Sequence, residues 1–250
     1  MIAPDLASWI VKRPRPTARL RLFCFPCSGC GATSFRGWAE GMPHVEVCAV
    51  RAPGRETRLR EPAFTRMEPL VGAVVEALRG ELDRPFAFFG HSLGSFVAFE
   101  TARALRRAGL PAPRHLLLAG CPSPEAHPVK RPIHDLADAE LVLALRRYGG
   151  TPDEVMKNEE LMSLILPILR ADLTVHETYA TTPEAPLDLP ITALGGMEDD
   201  HATRADLEGW RAHTTRAFLL RMFPGGHFFV NTQRTPLLGA VLQDLDPHLR

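Results

Sequence analysis

Gly90-His91-Ser92-Leu93-Gly94 sets a serine between two glycines in the spacing G-x-S-x-G. The pentapeptide follows the apolar run Phe86–Phe89 and opens a helix-like stretch, so it reads as a cramped strand-to-helix turn. Such a turn needs small residues at Gly90 and Gly94, where neighbouring backbone must pass close by. It exposes the Ser92 hydroxyl, and the helix that begins there directs unpaired amides at developing negative charge. Composition alone yields about 0.04 chance matches to this spacing in the chain, before the strand–turn–helix setting is required. The bland alternative is a serine that merely caps a helix.

A serine hydroxyl is a weak nucleophile at neutral pH without a base. Where such an elbow sits in an open α/β sheet, an acid and then a histidine follow at the ends of later strands. Of ten histidines, His227 follows the apolar run Phe218–Phe223 and the turn Pro224-Gly225-Gly226, where a loop tip can bring an imidazole over Ser92. His91 should point away from its neighbour, and His201 and His213 are weaker competitors. The acid is expected after Ile191–Leu194, where Gly195-Gly196-Met197-Glu198-Asp199-Asp200 offers three carboxylates in a row. Asp199 is favoured, with Asp200 as the alternative; the acid orients the imidazole and stabilises its protonated form. The oxyanion donors are expected to be the backbone N–H groups of Leu93 and of Cys27, the latter in the small-residue loop Pro26-Cys27-Ser28-Gly29-Cys30-Gly31.

These parts need a sheet to hold them. Short apolar runs at Leu20–Phe25, Val45–Val50, Phe86–Phe89, His115–Ala119, Ile191–Leu194 and Phe218–Phe223 read as strands, most of them nearly continuous as in parallel strands buried on both faces. Helix-like stretches at Met67–Leu82, Ser92–Ala108, Ala202–His213 and Pro236–Leu245 alternate with them, Thr235 and Pro236 reading as N-cap and first-turn proline. The alternation predicts one α/β domain over residues 1–250, a mostly parallel sheet flanked by helices. Pro14 and Pro16 mark the end of a loose N-terminal arm. From about 131 to 190 only helical signals occur: Ala137–Tyr148, a capping box at Thr151-Pro152-Asp153-Glu154, and Leu161–Leu169, which Pro167 should kink or break. This helical insertion is placed to act as a lid, or else packs as extra core. Met162, Ile165 and Leu169 are candidate substrate-wall residues, with ordinary packing the competing role of each.

Lys plus Arg and Asp plus Glu both number 29, a formal net charge of zero, which speaks against nucleic acid or a polybasic membrane anchor. No run approaches the ~18 apolar residues that span a bilayer, and Met1–Leu20 has no apolar signal core. Five cysteines are too few to staple this length, so a cytoplasmic, reducing location is expected. Cys24, Cys27 and Cys30 are spaced by three, but no fourth ligand of metal-site spacing follows, and no metal is expected. All five cysteines are read as buried small hydrophobes. Dinucleotide and Walker fingerprints are absent, since Gly29-Cys30-Gly31 lacks the remaining glycine.

With serine, acid and base assigned, the chain resembles the type II thioesterases of polyketide synthase and nonribosomal peptide synthetase systems. The matching stretches are Phe23–Trp38, Ala52–Pro62, Phe88–Gly94, Leu166–Tyr179 and Phe223–Phe229. Family members usually read FP-x-A-G-G after the first core strand; here Ser28 stands for the alanine and Cys30 for the second glycine. The resemblance implies an α/β-hydrolase fold with a helical lid and a Ser92, Asp199, His227 triad. It also implies hydrolysis of acyl thioesters held on the phosphopantetheine of acyl or peptidyl carrier proteins. No cofactor of its own is expected, and a monomer is. A general carboxylesterase or lipase acting on oxygen esters, and a carrier-binding module without turnover, are the alternatives.

Overall fold

The computed structural model describes residues 8–127, 132–150 and 153–249. Among the described residues seven strands form one sheet: β1 (Ile10–Lys12), β2 (Leu20–Phe25), β3 (Val45–Val50), β4 (Phe86–His91), β5 (Leu116–Ala119), β6 (Ile191–Gly196) and β7 (Phe218–Phe223). Their order is β1-β3-β2-β4-β5-β6-β7, with β1 antiparallel to β3 and every other neighbouring pair parallel. Parallel strands need crossovers, and these carry α1 (Met67–Leu78), α2 (Leu93–Arg107), α3 (Asp138–Tyr148), α4 (Asp153–Met156), α5 (Glu159–Glu177) and α6 (Arg204–Glu208). After β7 the chain finishes in α7 (Phe229–Thr232) and α8 (Arg234–Leu245). This is the expected α/β-hydrolase architecture.

The central strands are buried along their whole length because helices cover both faces. Side chains alternate across the sheet, so Phe23, Phe25 and Phe88 join one apolar cluster with Phe96 and Trp210. Leu22, Cys24 and Phe89 join another with Trp38 and Phe229. Between β5 and β6, α3 and α5 carry a third, separate cluster of Leu141, Leu145, Met162, Leu166, Leu169 and Leu173.

Four local expectations need correction. The N-terminal arm is not loose from residue 8 onward: Trp9 is buried, and Ile10–Lys12 pairs with Val50–Cys48. Arg51 N–H donates to the Trp9 carbonyl at 2.7 Å, and the Arg58 guanidinium lies 4.5 Å from the Trp9 ring. Pro167 does not break α5, which runs through it. Pro167 and Ser163, whose carbonyl loses its helical donor, are both exposed, so water can hydrate that carbonyl. Thr235 is not an N-cap, because α8 already begins at Arg234 with Gln233 before it. Cys30 is only half-buried, unlike the other four cysteines. Arg131, at the expected start of the insertion, and Thr151-Pro152 of the expected capping box lie outside the described residues, as do residues 1–7.

Candidate active site

Ser92 stands between β4 and α2 at φ 55° and ψ −122°, a left-handed conformation that costs a non-glycine residue on the order of 1–3 kcal/mol. Its surroundings hold it there. Ser92 N–H donates to the Ala119 carbonyl at the end of β5 (2.8 Å), and Ser95 Oγ donates to the same carbonyl (3.1 Å). A Cβ at Gly90 would lie 2.4 Å from the Gly94 carbonyl oxygen, and one at Gly94 would lie 2.1 Å from the Phe25 carbonyl oxygen. Both glycines are therefore steric requirements. The second contact also brings the end of β2, and with it the Pro26–Gly31 loop, onto the first turn of α2, where Leu93 N–H lies.

Asp199 and His227 meet at the ends of β6 and β7. His227 Nδ1–H donates to Asp199 Oδ2 at 2.9 Å, and His201 N–H donates to Asp199 Oδ1 at 2.9 Å. Asp199 is 5% exposed, whereas Asp200 lies at the surface. Burial raises the Asp199 carboxyl's pKa, but the His227 and His201 contacts outweigh it and hold the carboxyl below its ordinary value. A carboxylate accepting at Nδ1 fixes the imidazole tautomer and leaves Nε2 as the acceptor on the opposite side of the ring.

The two loops meet because of Gly196. A Cβ there would lie 2.4 Å from the carbonyl oxygens of Gly225 and Gly226, so only glycine lets the acid loop and the histidine loop touch. Met197 N–H then donates to the Phe223 carbonyl (2.8 Å) and Glu198 N–H to that of Gly225 (3.0 Å). On the other side, Gly120 follows Ala119 at φ +57°, and a Cβ there would lie 3.5 Å from His227 Cε1. The His227 ring thus rests beside the strand end that holds the Ser92 amide.

His91 has a part the sequence reading missed. Its Nε2 contacts the His227 carbonyl oxygen at 3.0 Å, and burial together with the nearby His227 lowers its pKa to about 3. A neutral His91 therefore donates to the loop that carries His227. His201 lies with its ring centroid 5.8 Å from that of His227. His213 packs on Phe99 and Trp210 and pairs with Glu125 at 2.9 Å, away from this cluster.

The Pro26–Gly31 loop is held from two elements distant in sequence. Asp172 of α5 accepts from Gly29 N–H (2.8 Å) and takes a bidentate contact from Arg55 (2.8 Å at each oxygen). Arg55 also donates to the Cys30 carbonyl at 2.7 Å. This buried pair ties the helical insertion to the loop, and neither partner was singled out from the sequence. Leu169 adds an apolar contact, its Cδ1 lying 2.9 Å from where a Gly29 Cβ would stand. Met162 packs within the insertion's own cluster, and Ile165 is half-buried. Within the insertion, just after α3, Gly150 lies against the Phe228 ring, one residue from His227. Among the described residues no cluster of three or more His, Cys, Asp or Glu side chains is arranged for a metal ion, and no helix is long and apolar enough to cross a membrane.

Residues 20–247 match the family described as "Thioesterase domain". The chain is 39% identical over 247 residues to the Brevibacillus parabrevis protein named linear gramicidin dehydrogenase LgrE, covering 96% of this chain and 94% of that one. Among solved structures, the RedJ thioesterase from the prodiginine pathway of Streptomyces coelicolor superposes with a TM-score of 0.86 at 41% identity, covering 92% and 95% of the two chains. The type II thioesterase BorB of the borrelidin biosynthetic cluster gives 0.87 at 36% identity, covering 98% of each.

Proposed function

The chain belongs to the thioesterase family, and from that membership we propose that it is a type II, editing thioesterase of a polyketide or nonribosomal peptide assembly system. It removes stalled or wrongly primed acyl groups from the phosphopantetheine thiol of carrier proteins, and so works in the cytoplasm beside its synthase. The serine-hydrolase chemistry is carried by the 2.9 Å contact of a buried Asp199 with His227, on loops that meet over Gly196 beside the Ser92 elbow, and the carrier-thioester substrate by the similarity along the chain to type II thioesterases.

His227 Nε2 takes the Ser92 proton as Oγ attacks the thioester carbonyl. Asp199 stabilises the imidazolium without accepting the proton, and His91 fixes the loop from which the ring projects. The tetrahedral oxyanion accepts from the Cys27 and Leu93 amides, one such donor being worth about 2.7–4 kcal/mol. The imidazolium then protonates the departing pantetheine sulfur; a thiol of pKa about 8.5 leaves with little help. Water, deprotonated by the same imidazole, releases the acyl group from Ser92. Phosphopantetheine arrives on the substrate, so the residues named complete the chemistry.

LgrE is named a dehydrogenase, whereas the loop after β2 of this chain carries Gly29 and Gly31 without the third glycine of a dinucleotide fingerprint. The helical insertion, touching both the Gly29 loop and Phe228, acts as the lid, with Leu169 as the wall residue nearest the oxyanion loop. Comparing kcat/KM for an acyl-carrier-protein thioester with that for an alkyl ester of the same acyl group tests the reading. The carrier thioester should react far faster. Equal rates would make the protein a general esterase, and no turnover on either would make it a binding module.

A further inference from the structure

Cys27-Ser28-Gly29-Cys30 forms a tight turn in which Cys30 N–H donates to the Cys27 carbonyl at 3.0 Å and Gly29 takes φ +73°. Such a turn keeps its first and fourth Cα atoms within about 7 Å, the span a disulfide needs. The two sulfurs already face each other at 2.8 Å. Cys30 is half-buried, whereas Cys24, Cys48 and Cys121 are sealed in the core and Cys27 is buried behind Cys30. We propose that Cys27 and Cys30 are an oxidation site, a thiol pair that a peroxide converts to a disulfide and a thiol reductant restores, and that closing it slows acyl transfer at Ser92.

Electrostatics agree with that geometry. A hydrogen bond from Cys27 holds the Cys30 thiol below its ordinary pKa; burial and Asp172 oppose this, while Ser34 and the Arg55 guanidinium assist. Burial pushes the thiols of Cys24 and Cys121 up, and that of Cys48 to about 12, so those three are poor nucleophiles; the hydrogen bond to Cys30, with burial, pushes Cys27 up as well, which leaves Cys30 as the thiol that meets the peroxide. In the reaction the Cys30 thiolate attacks the peroxide O–O bond, giving a sulfenic acid and releasing one oxygen as water. Cys27 sulfur then attacks the Cys30 sulfur, the S–S bond forms, and the sulfenic oxygen leaves as a second water. Two thiols lose two electrons and two protons, and hydrogen peroxide is reduced to two waters.

A bridge across four residues removes little freedom from an unfolded chain, so a structural staple is a poor use for the pair. Its position suits control of catalysis. Bond formation draws the sulfurs from 2.8 Å to about 2.05 Å. Arg55 and Asp172 hold Gly29 N–H and the Cys30 carbonyl, so the movement falls on Cys27, whose amide faces the oxyanion. That last step rests on the thioesterase reading.

The test treats the folded protein with hydrogen peroxide, then denatures it in an alkylating agent and maps the modified cysteines by mass spectrometry. Cys24, Cys48 and Cys121 should be alkylated, with Cys27 and Cys30 protected and lighter by two hydrogens. Hydrolysis of an acyl-carrier thioester should fall at least tenfold and return with dithiothreitol; complete loss of one oxyanion donor is worth roughly 10²–10³-fold. Cys30→Ser, compared with its own untreated rate, should be insensitive to peroxide. Full alkylation of Cys27 and Cys30 after peroxide overturns the site. An unchanged rate in the bridged protein, or peroxide sensitivity persisting in Cys30→Ser, overturns its consequence. The alkylation pattern is read without turnover, so its failure is separate from failure of the thioesterase reading.

Discussion

Gly196→Ala should disable catalysis from a position that touches no substrate. The new Cβ would stand 2.4 Å from the carbonyl oxygens of Gly225 and Gly226 and 2.9 Å from the Gly226 carbonyl carbon. All three atoms are backbone, so no side chain can swing aside. Restoring an ordinary contact of 3.4 Å needs about 1 Å of movement in the loop that ends at His227. A 1 Å misplacement of a reacting group costs on the order of 10²-fold in rate, or about 2.7 kcal/mol of transition-state stabilisation. The neighbouring Gly226→Ala is the internal control, because its Cβ would meet only the Glu198 carbonyl oxygen at an ordinary 3.6 Å. Steady-state hydrolysis of an acyl-carrier thioester, with thermal unfolding to verify folding, should show Gly196→Ala down about 100-fold and Gly226→Ala within about threefold of the parent. A folded Gly196→Ala with parental kcat/KM would refute the idea that this close approach positions the base.

Asp199→Asn should lower kcat by about 10⁴-fold, the loss seen when a triad acid can no longer fix the imidazole tautomer, while Asp200→Asn should stay within about twofold; equal losses in steady-state assays would reverse the assignment of the acid. Acid should destabilise the fold through buried histidines. Burial lowers His91 and His176 to about 3, each with help from a neighbouring histidine, against about 6.5 in an unfolded chain. Between those values the unfolded state binds more protons, so their contribution is intact above pH 6.5 and is lost as pH falls toward 3, by about 1.4 kcal/mol per pH unit for each. Denaturant titrations at pH 7, 6 and 5 should show the decline and a shallower one in His91→Gln; a flat profile would mean these rings are not held neutral.

Much of this was legible before any coordinates. Strands of a covered parallel sheet announce themselves as nearly continuous apolar runs, and β2, β3 and β7 fall where the sequence reading puts them, although β7 forms the sheet edge and is only half-buried rather than buried on both faces. The G-x-S-x-G spacing is a local steric demand, so Gly90 and Gly94 could be understood from the turn alone. Missed features depend on contacts between distant segments. Ile10–Lys12 is three residues beside prolines and becomes a strand only because β3 offers an edge. Gly196 reads as one of two loop glycines until the Gly225 and Gly226 carbonyls are seen against it. Arg55 and Asp172 lie 117 residues apart and carry no sign of each other in the chain. Asp199, by contrast, is the acid the sequence already favours over Asp200, and its burial and 2.9 Å contact with His227 agree with that choice.

In the proposed reaction an acyl group passes from a carrier thioester onto Ser92. Mixing the protein with an acyl-carrier thioester, quenching in acid within milliseconds to seconds, and mapping the acyl mass by peptide fragmentation tests it directly. The adduct should sit on Ser92, appear before product accumulates, and be absent from Ser92→Ala, which should not turn over. An adduct on Cys27 or Cys30, or undiminished hydrolysis by Ser92→Ala, would contradict it.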